Sequence, residues 1–120
     1  MKKILWVSRH EMTKGQVDDL RRIYGEFELV KFDQTVSNIK EILEAGKDCA
    51  ILAVVLPPAL LADLVNSRNN EKPVIRAVAN RVETGNEVLN PATGKKEQEY
   101  KFVHVAWERV LKIEIITEKL

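Results

Sequence analysis

Two kinds of apolar spacing alternate along this chain. Short, nearly unbroken apolar runs occur at Ile4 to Ser8, Phe27 to Phe32, Cys49 to Leu56 and Val74 to Ala79. Runs of this length without polar alternation read as strands covered on both faces. Between them the apolar residues recur every three or four positions. Val17, Leu20, Ile23 and Tyr24 make one stripe, Val36, Ile39, Ile42 and Leu43 a second, and Leu60, Leu61, Leu64 and Val65 a third. That is helical spacing.

Boundary residues sharpen the helices. Thr13-Lys14-Gly15-Gln16 fits a capping box, with Gln16 reaching back to Thr13, and Gly25 is placed to end the helix. Asp18 and Arg22 stand four apart on its polar side and are expected to pair. The second helix spans Val36 to Ala45 and stops at Gly46. Pro58 suits the first turn of the third, where a missing N–H is no loss. Four strands alternating with three helices predict an α/β fold: a Rossmann-like three-layer parallel sheet with right-handed crossovers.

After residue 80 the pattern changes. "ETGNEVLNPATGKKEQ" is rich in charge and turn residues, and the flanking "ANRVE" and "EYKFVHVAW" are expected to pair as an antiparallel β-hairpin. From Val103 the odd positions are mostly apolar, as far as Ile115, which favours strand over helix for the last residues. The expected organisation is one domain over 1–120, with 81–120 a hairpin and strand extension.

Composition narrows the function. The chain has 120 residues, 45% hydrophobic and 31% charged, enough for a real core. Its 19 basic and 18 acidic residues leave a net charge of +1, which argues against binding long nucleic acid through a broad basic face. The apolar part of the N-terminus is too short for a signal peptide, and the longest apolar stretch carries Pro57-Pro58 and Asp63, so neither secretion nor a membrane span is expected. A cytoplasmic location follows as the default. The single cysteine, Cys49, heads an apolar run and reads as a core residue. No carboxylate cluster, Walker lysine loop or G-x-G-x-x-G points to a metal or cofactor.

In an open parallel sheet, ligands bind beyond the carboxyl ends of the strands. This rule gathers Ser8, Arg9 and His10 after the first strand, Pro57 after the third, and Asn80 and Arg81 after the fourth. Thr13 and Lys14, at the start of the first helix, join them as ligand-binding candidates. Helix N-termini and guanidinium groups suit phosphate, and His10 suits proton transfer. Each also has a plainer role open to it: a solvated arginine, a capping histidine, a hydroxyl bound to backbone. His104 reads as structural, and Trp107 as a core residue or a dimer contact.

"VSRH", Val7 to His10, and "LPPALLA", Leu56 to Ala62, together resemble motifs of small CRISPR-associated Rossmann-like proteins related to CARF sensor domains. Some of these are ring nucleases of cyclic oligoadenylate. The resemblance covers roughly the first half of the chain. It implies a small anionic nucleotide as ligand, a homodimer, and metal-independent cleavage in which Arg9 and His10 are catalytic and Ser8 helps cradle phosphate. A non-enzymatic interaction module and another kind of nucleotide-binding protein remain open readings of the same residues.

Overall fold

The computed structural model describes residues 1–114 and 117–120. It is an α/β protein built on a five-stranded, mostly parallel sheet. In chain order the elements are β1 (Lys2–Val7), α1 (Lys14–Tyr24), β2 (Phe27–Phe32), α2 (Ile39–Ala45), β3 (Ile51–Val54), α3 (Pro58–Asn66), β4 (Val74–Leu89) and β5 (Lys96–Arg109). The strand order is β2-β1-β3-β4-β5, parallel throughout except for the antiparallel β4–β5 pair.

Successive residues of a strand face opposite sides of the sheet, and the core divides accordingly. Ile4 and Trp6 of β1 join Ile51, Ala53 and Ile75 beneath Leu20 of α1. Leu5 and Val7 join Leu52 and Val54 on the other side, covered by Ile42 of α2 and by Leu61 and Leu64 of α3. Unbroken apolar runs are needed here because every side chain of these strands lands in one layer or the other. Cys49 is buried in the second layer, and burial pushes its thiol pKa up.

The helix ends follow the local chemistry. Thr13 and Gln16 form the capping box at α1, and Gly25 closes it with φ at 78°. Arg22 pairs with Asp19 at 2.8 Å, not with Asp18, which faces Lys14 at 3.6 Å; three-residue spacing puts Asp19 closer to the guanidinium. α2 begins only at Ile39, because Asn38 caps it through a bond from the Lys40 N–H, so Val36 lies in the preceding loop.

The largest departure from the sequence expectation lies in the hairpin. β4 does not stop at Ala79 but runs to Leu89, and its partner runs from Lys96 to Arg109. Only Val74 and Ile75 of β4 pair with β3. The rest projects past the carboxyl edge of the sheet as a two-stranded ribbon. The radius of gyration is accordingly 17.4 Å, against about 14 Å for a globular chain of this length.

Strand structure ends at Arg109, earlier than the apolar alternation predicts. Val110 still donates to the Val74 carbonyl, and the Ile113 carbonyl accepts from Asn66 of α3 at 3.1 Å. This segment is therefore held as a strap across α3, neither strand nor helix. The expected strand at Ile115 lies outside the described residues.

Candidate functional site

β1, β2 and β3 end level with one another. Val7 is the last rung opposite both Phe32 and Val54. The chain then leaves β1 toward α1 on one face, and leaves β3 toward α3 on the other. Diverging connections open a crevice between neighbouring strands, the usual position of a ligand site in such sheets. Here it is a cavity of about 280 Å³, lined by Ser8, Arg9 and His10, by Gln34, Thr35 and Val36, and by Val7, Val55, Leu56 and Pro57.

The loop after β1 is tied down by its backbone. Ser8 donates its N–H to the Phe32 carbonyl at 3.2 Å, and its hydroxyl accepts from the His10 N–H at 3.1 Å. The buried Trp6 indole donates to the His10 carbonyl at 2.8 Å. A residue of the core thus fixes the path of an exposed loop. Among the described residues, neither the Arg9 guanidinium nor the His10 imidazole has a hydrogen bond or ion pair. Both are exposed at the rim.

Pro57 starts α3 with no side-chain cap, and Pro58 follows at the first helical position. The first intrahelical bond is donated by Leu61 to Pro57, so the N–H groups of Ala59 and Leu60 have no partner within the helix. No acidic residue occupies this first turn. The positive end of the helix is left for an anion.

Of the residues singled out in the sequence, Ser8, Arg9, His10 and Pro57 meet here. The others do not. Thr13 is spent on its cap and lies with Gly15 and Gln16 in a different cavity, bounded by Lys101 to His104. Lys14 faces Asp18 in solvent. Asn80 and Arg81 sit within β4, not after it, opposite Val103 and Phe102. The Arg81 guanidinium lies 3.7 Å above the centre of the Tyr100 ring. Gln34 and Thr35 were missed. The signal for them is sheet order: β2 borders β1 and ends level with it, so the loop after β2 reaches the crevice, whereas β4, which borders β3, runs on to Leu89 and carries its loop past it.

The donors in this cavity are a guanidinium, an imidazole, two hydroxyls and a carboxamide over an apolar floor. None of its lining residues is Asp or Glu. That balance accepts negative charge and apolar surface together. A cavity of about 390 Å³ lies at the opposite, amino edge of the sheet, but there Lys72 already donates to the Gly46 and Lys47 carbonyls and closes the end of α2.

Among the described residues no group of three His, Cys, Asp or Glu side chains is placed to hold a metal ion, and no helix is long and apolar enough to cross a membrane. Comparison with protein-family models, curated proteins and solved structures finds no match to this chain.

Proposed function

We propose that the crevice at the carboxyl ends of β1, β2 and β3 binds a phosphodiester nucleotide, a cyclic oligoadenylate of the kind used in CRISPR-associated defence, on a Rossmann-like cytoplasmic scaffold. One observation carries the reading: a cavity lined by Ser8, Arg9, His10, Gln34 and Thr35, with an open helix N-terminus at its rim and no carboxylate in its lining. At about 280 Å³ it lies near the small end of ligand sites, roughly 300–1,000 Å³. It suits one nucleotide of a ring, phosphate toward Arg9 and base against Val55 and Leu56.

Cleavage follows from these groups without further chemistry. A ribose 2′-OH attacks the adjacent phosphorus, the bond to the 5′-oxygen breaks, and a 2′,3′-cyclic phosphate remains. His10 relays the proton from the 2′-OH to the departing 5′-oxygen. Arg9 offsets the charge that develops on the phosphoryl oxygens. Ser8 and the α3 N–H groups hold the phosphate in line.

The test is incubation with cyclic tetra- and hexa-adenylate, products followed by mass spectrometry and binding by calorimetry. Linear products ending in a cyclic phosphate are expected. Arg9→Ala, which removes an exposed and unpaired side chain, should slow cleavage by about a hundredfold or more and leave the fold intact. Rings that stay whole and do not bind would overturn both sensing and cleavage. The exposed ribbon favours the second reading, an interaction module, which then remains.

A further inference from the structure

The ribbon formed by β4 and β5 is the least covered part of the molecule. A two-stranded ribbon by itself is marginal in water, and this one leaves Tyr100 40%, Val103 42%, Val105 51% and Phe102 77% exposed. β5 is also the last strand of the sheet, so its outer edge presents unpaired backbone N–H and C=O groups. We propose that this edge pairs, antiparallel, with the same edge of a second copy of the chain, about a two-fold axis at Tyr100.

Charge fixes both the partner and the register. Glu99 accepts from the Thr84 hydroxyl at 2.8 Å, but among the described residues neither it nor Lys101, two apart on the same face of β5, has an oppositely charged partner. When two identical strands pair about an axis normal to the sheet, directly opposite residues share a face, so the axis must pass through a residue pair. Centring on Tyr100 sets Lys101 opposite Glu99 twice, Tyr100 opposite itself and Phe102 opposite Gln98, with no like charges opposed.

The neighbouring registers are worse. Centring on Glu99 opposes that carboxylate to its own copy, and centring on Lys101 does the same with two cations. Centring on Gln98 sets Glu97 against Glu99. Centring on Phe102 sets Lys101 opposite Val103 and Glu99 opposite Val105, so neither meets an opposite charge. Directly opposed pairs are the unit of sheet stabilisation, and like charges there destabilise.

The Tyr100 register also gathers the aromatic residues. Tyr100 and Phe102 lie on one face, opposite Glu83 and Arg81 of β4, and Arg81 already covers Tyr100. Pairing brings the two tyrosines face to face across the axis, with the two phenylalanines on their diagonals. Two marginal ribbons become one four-stranded sheet. The pairing makes no use of the crevice after β1.

Cross-linking of the full chain tests both partner and register. Residues directly opposite in an antiparallel pair have Cα atoms about 4.5–5.5 Å apart, within disulfide reach. The native Cys49 is buried. Tyr100→Cys should therefore give a covalent dimer on mild oxidation. Phe102→Cys, whose copies stand about 14 Å apart in this register, should not.

In sedimentation equilibrium the parent should dimerise. Glu99→Lys and Lys101→Glu should each weaken the dimer by about tenfold or more, and the double exchange should restore it. Circular dichroism of each variant separates loss of pairing from loss of fold. A monomer at every concentration would overturn the proposal. So would a dimer indifferent to both charge exchanges, or one that cross-links equally through residue 102.

Discussion

Replacing Trp6 by phenylalanine isolates the bond that links the core to the candidate site. The indole is 3% exposed, packs edge-on against Trp107 with ring centres 5.9 Å apart, and donates to the His10 carbonyl at 2.8 Å. Phenylalanine keeps a ring in the slot but loses the donor and one fused ring. The smaller ring costs about 1–2 kcal/mol in lost burial and cavity, and the missing hydrogen bond about 1 kcal/mol more. The sum, about 2–3 kcal/mol, is large against the marginal stability of a domain this size. It should lower the urea midpoint by about 1–2 M.

Urea unfolding is directly readable, because Trp107 remains as the one tryptophan of the variant. Ser8→Ala provides the contrast: it removes an exposed hydrogen bond to the same loop and should change stability by no more than about 0.5 kcal/mol. The phenylalanine variant should also bind the proposed nucleotide less well, since His10 then follows a loop no longer tied to the Trp6 indole. A Trp6→Phe protein as stable as the parent, or a Ser8→Ala protein equally damaged, would refute the claim that the core holds this loop.

Two further perturbations probe the scaffold. A Cβ at Gly46 would lie 2.7 Å from Cδ2 of the fully buried Leu52 and 3.2 Å from the Ile42 carbonyl; overpacking of about 1–3 kcal/mol outweighs the roughly 0.4–1 kcal/mol gained from a stiffer unfolded chain, so Gly46→Ala should lower the urea midpoint, and a rise would contradict the packing. At Asp19, the hydrogen bond to His104 and then the one from Arg22 hold the carboxyl pKa below its ordinary value. The unfolded chain therefore binds the proton more readily, and the stability Asp19 contributes is present above about pH 4 and lost as pH falls through the lower folded-state value. Asp19→Asn should be less stable than the parent at pH 6 and converge with it in acid; a stability gap unchanged down to pH 2 would count against this assignment.

How much of this was legible beforehand depended on whether the deciding interaction was local. The capping box at Thr13 and Gln16 is contained in four residues, and it formed as read. β2 occupies the same six residues that its apolar run marks. The convergence of Ser8, Arg9, His10 and Pro57 needed only the direction of parallel strands, which alternating helices imply. Gln34 and Thr35 required the strand order, and that is set by which crossovers pack, a non-local choice. Asn80 and Arg81 fall within β4, not after it, because the charged, turn-rich segment that predicts a break continues the strand as far as Leu89. Gly85 does adopt φ of 86°, but within a register shift between Glu83 and Glu87, where an irregularity absorbs it without ending the strand.

A second irregularity explains why His104 faces inward although the period of two points it away. Val103, Val105 and Trp107 alternate with His104 and Ala106, so a regular strand would set His104 opposite Trp107. The register breaks between Val78 and Ala79: Val78 pairs with Ala106, yet Ala79 pairs with His104. Val105 is left as the extra residue, and beyond it the two faces exchange. His104 then lies on the same side as Trp107, with ring centres 5.7 Å apart, and its Nε2 reaches Asp19 of α1 at 2.9 Å. Among the described residues its Nδ1 is buried without a partner. The Asp19 carboxylate is an acceptor, so the Nε2–H donates to it. The same exchange of faces turns Val105 outward, 51% exposed, and carries Phe102 and Tyr100 onto the side of the ribbon that continues from α1. A single inserted residue thus closes β5 onto the helix at one end and bares its aromatic residues at the other.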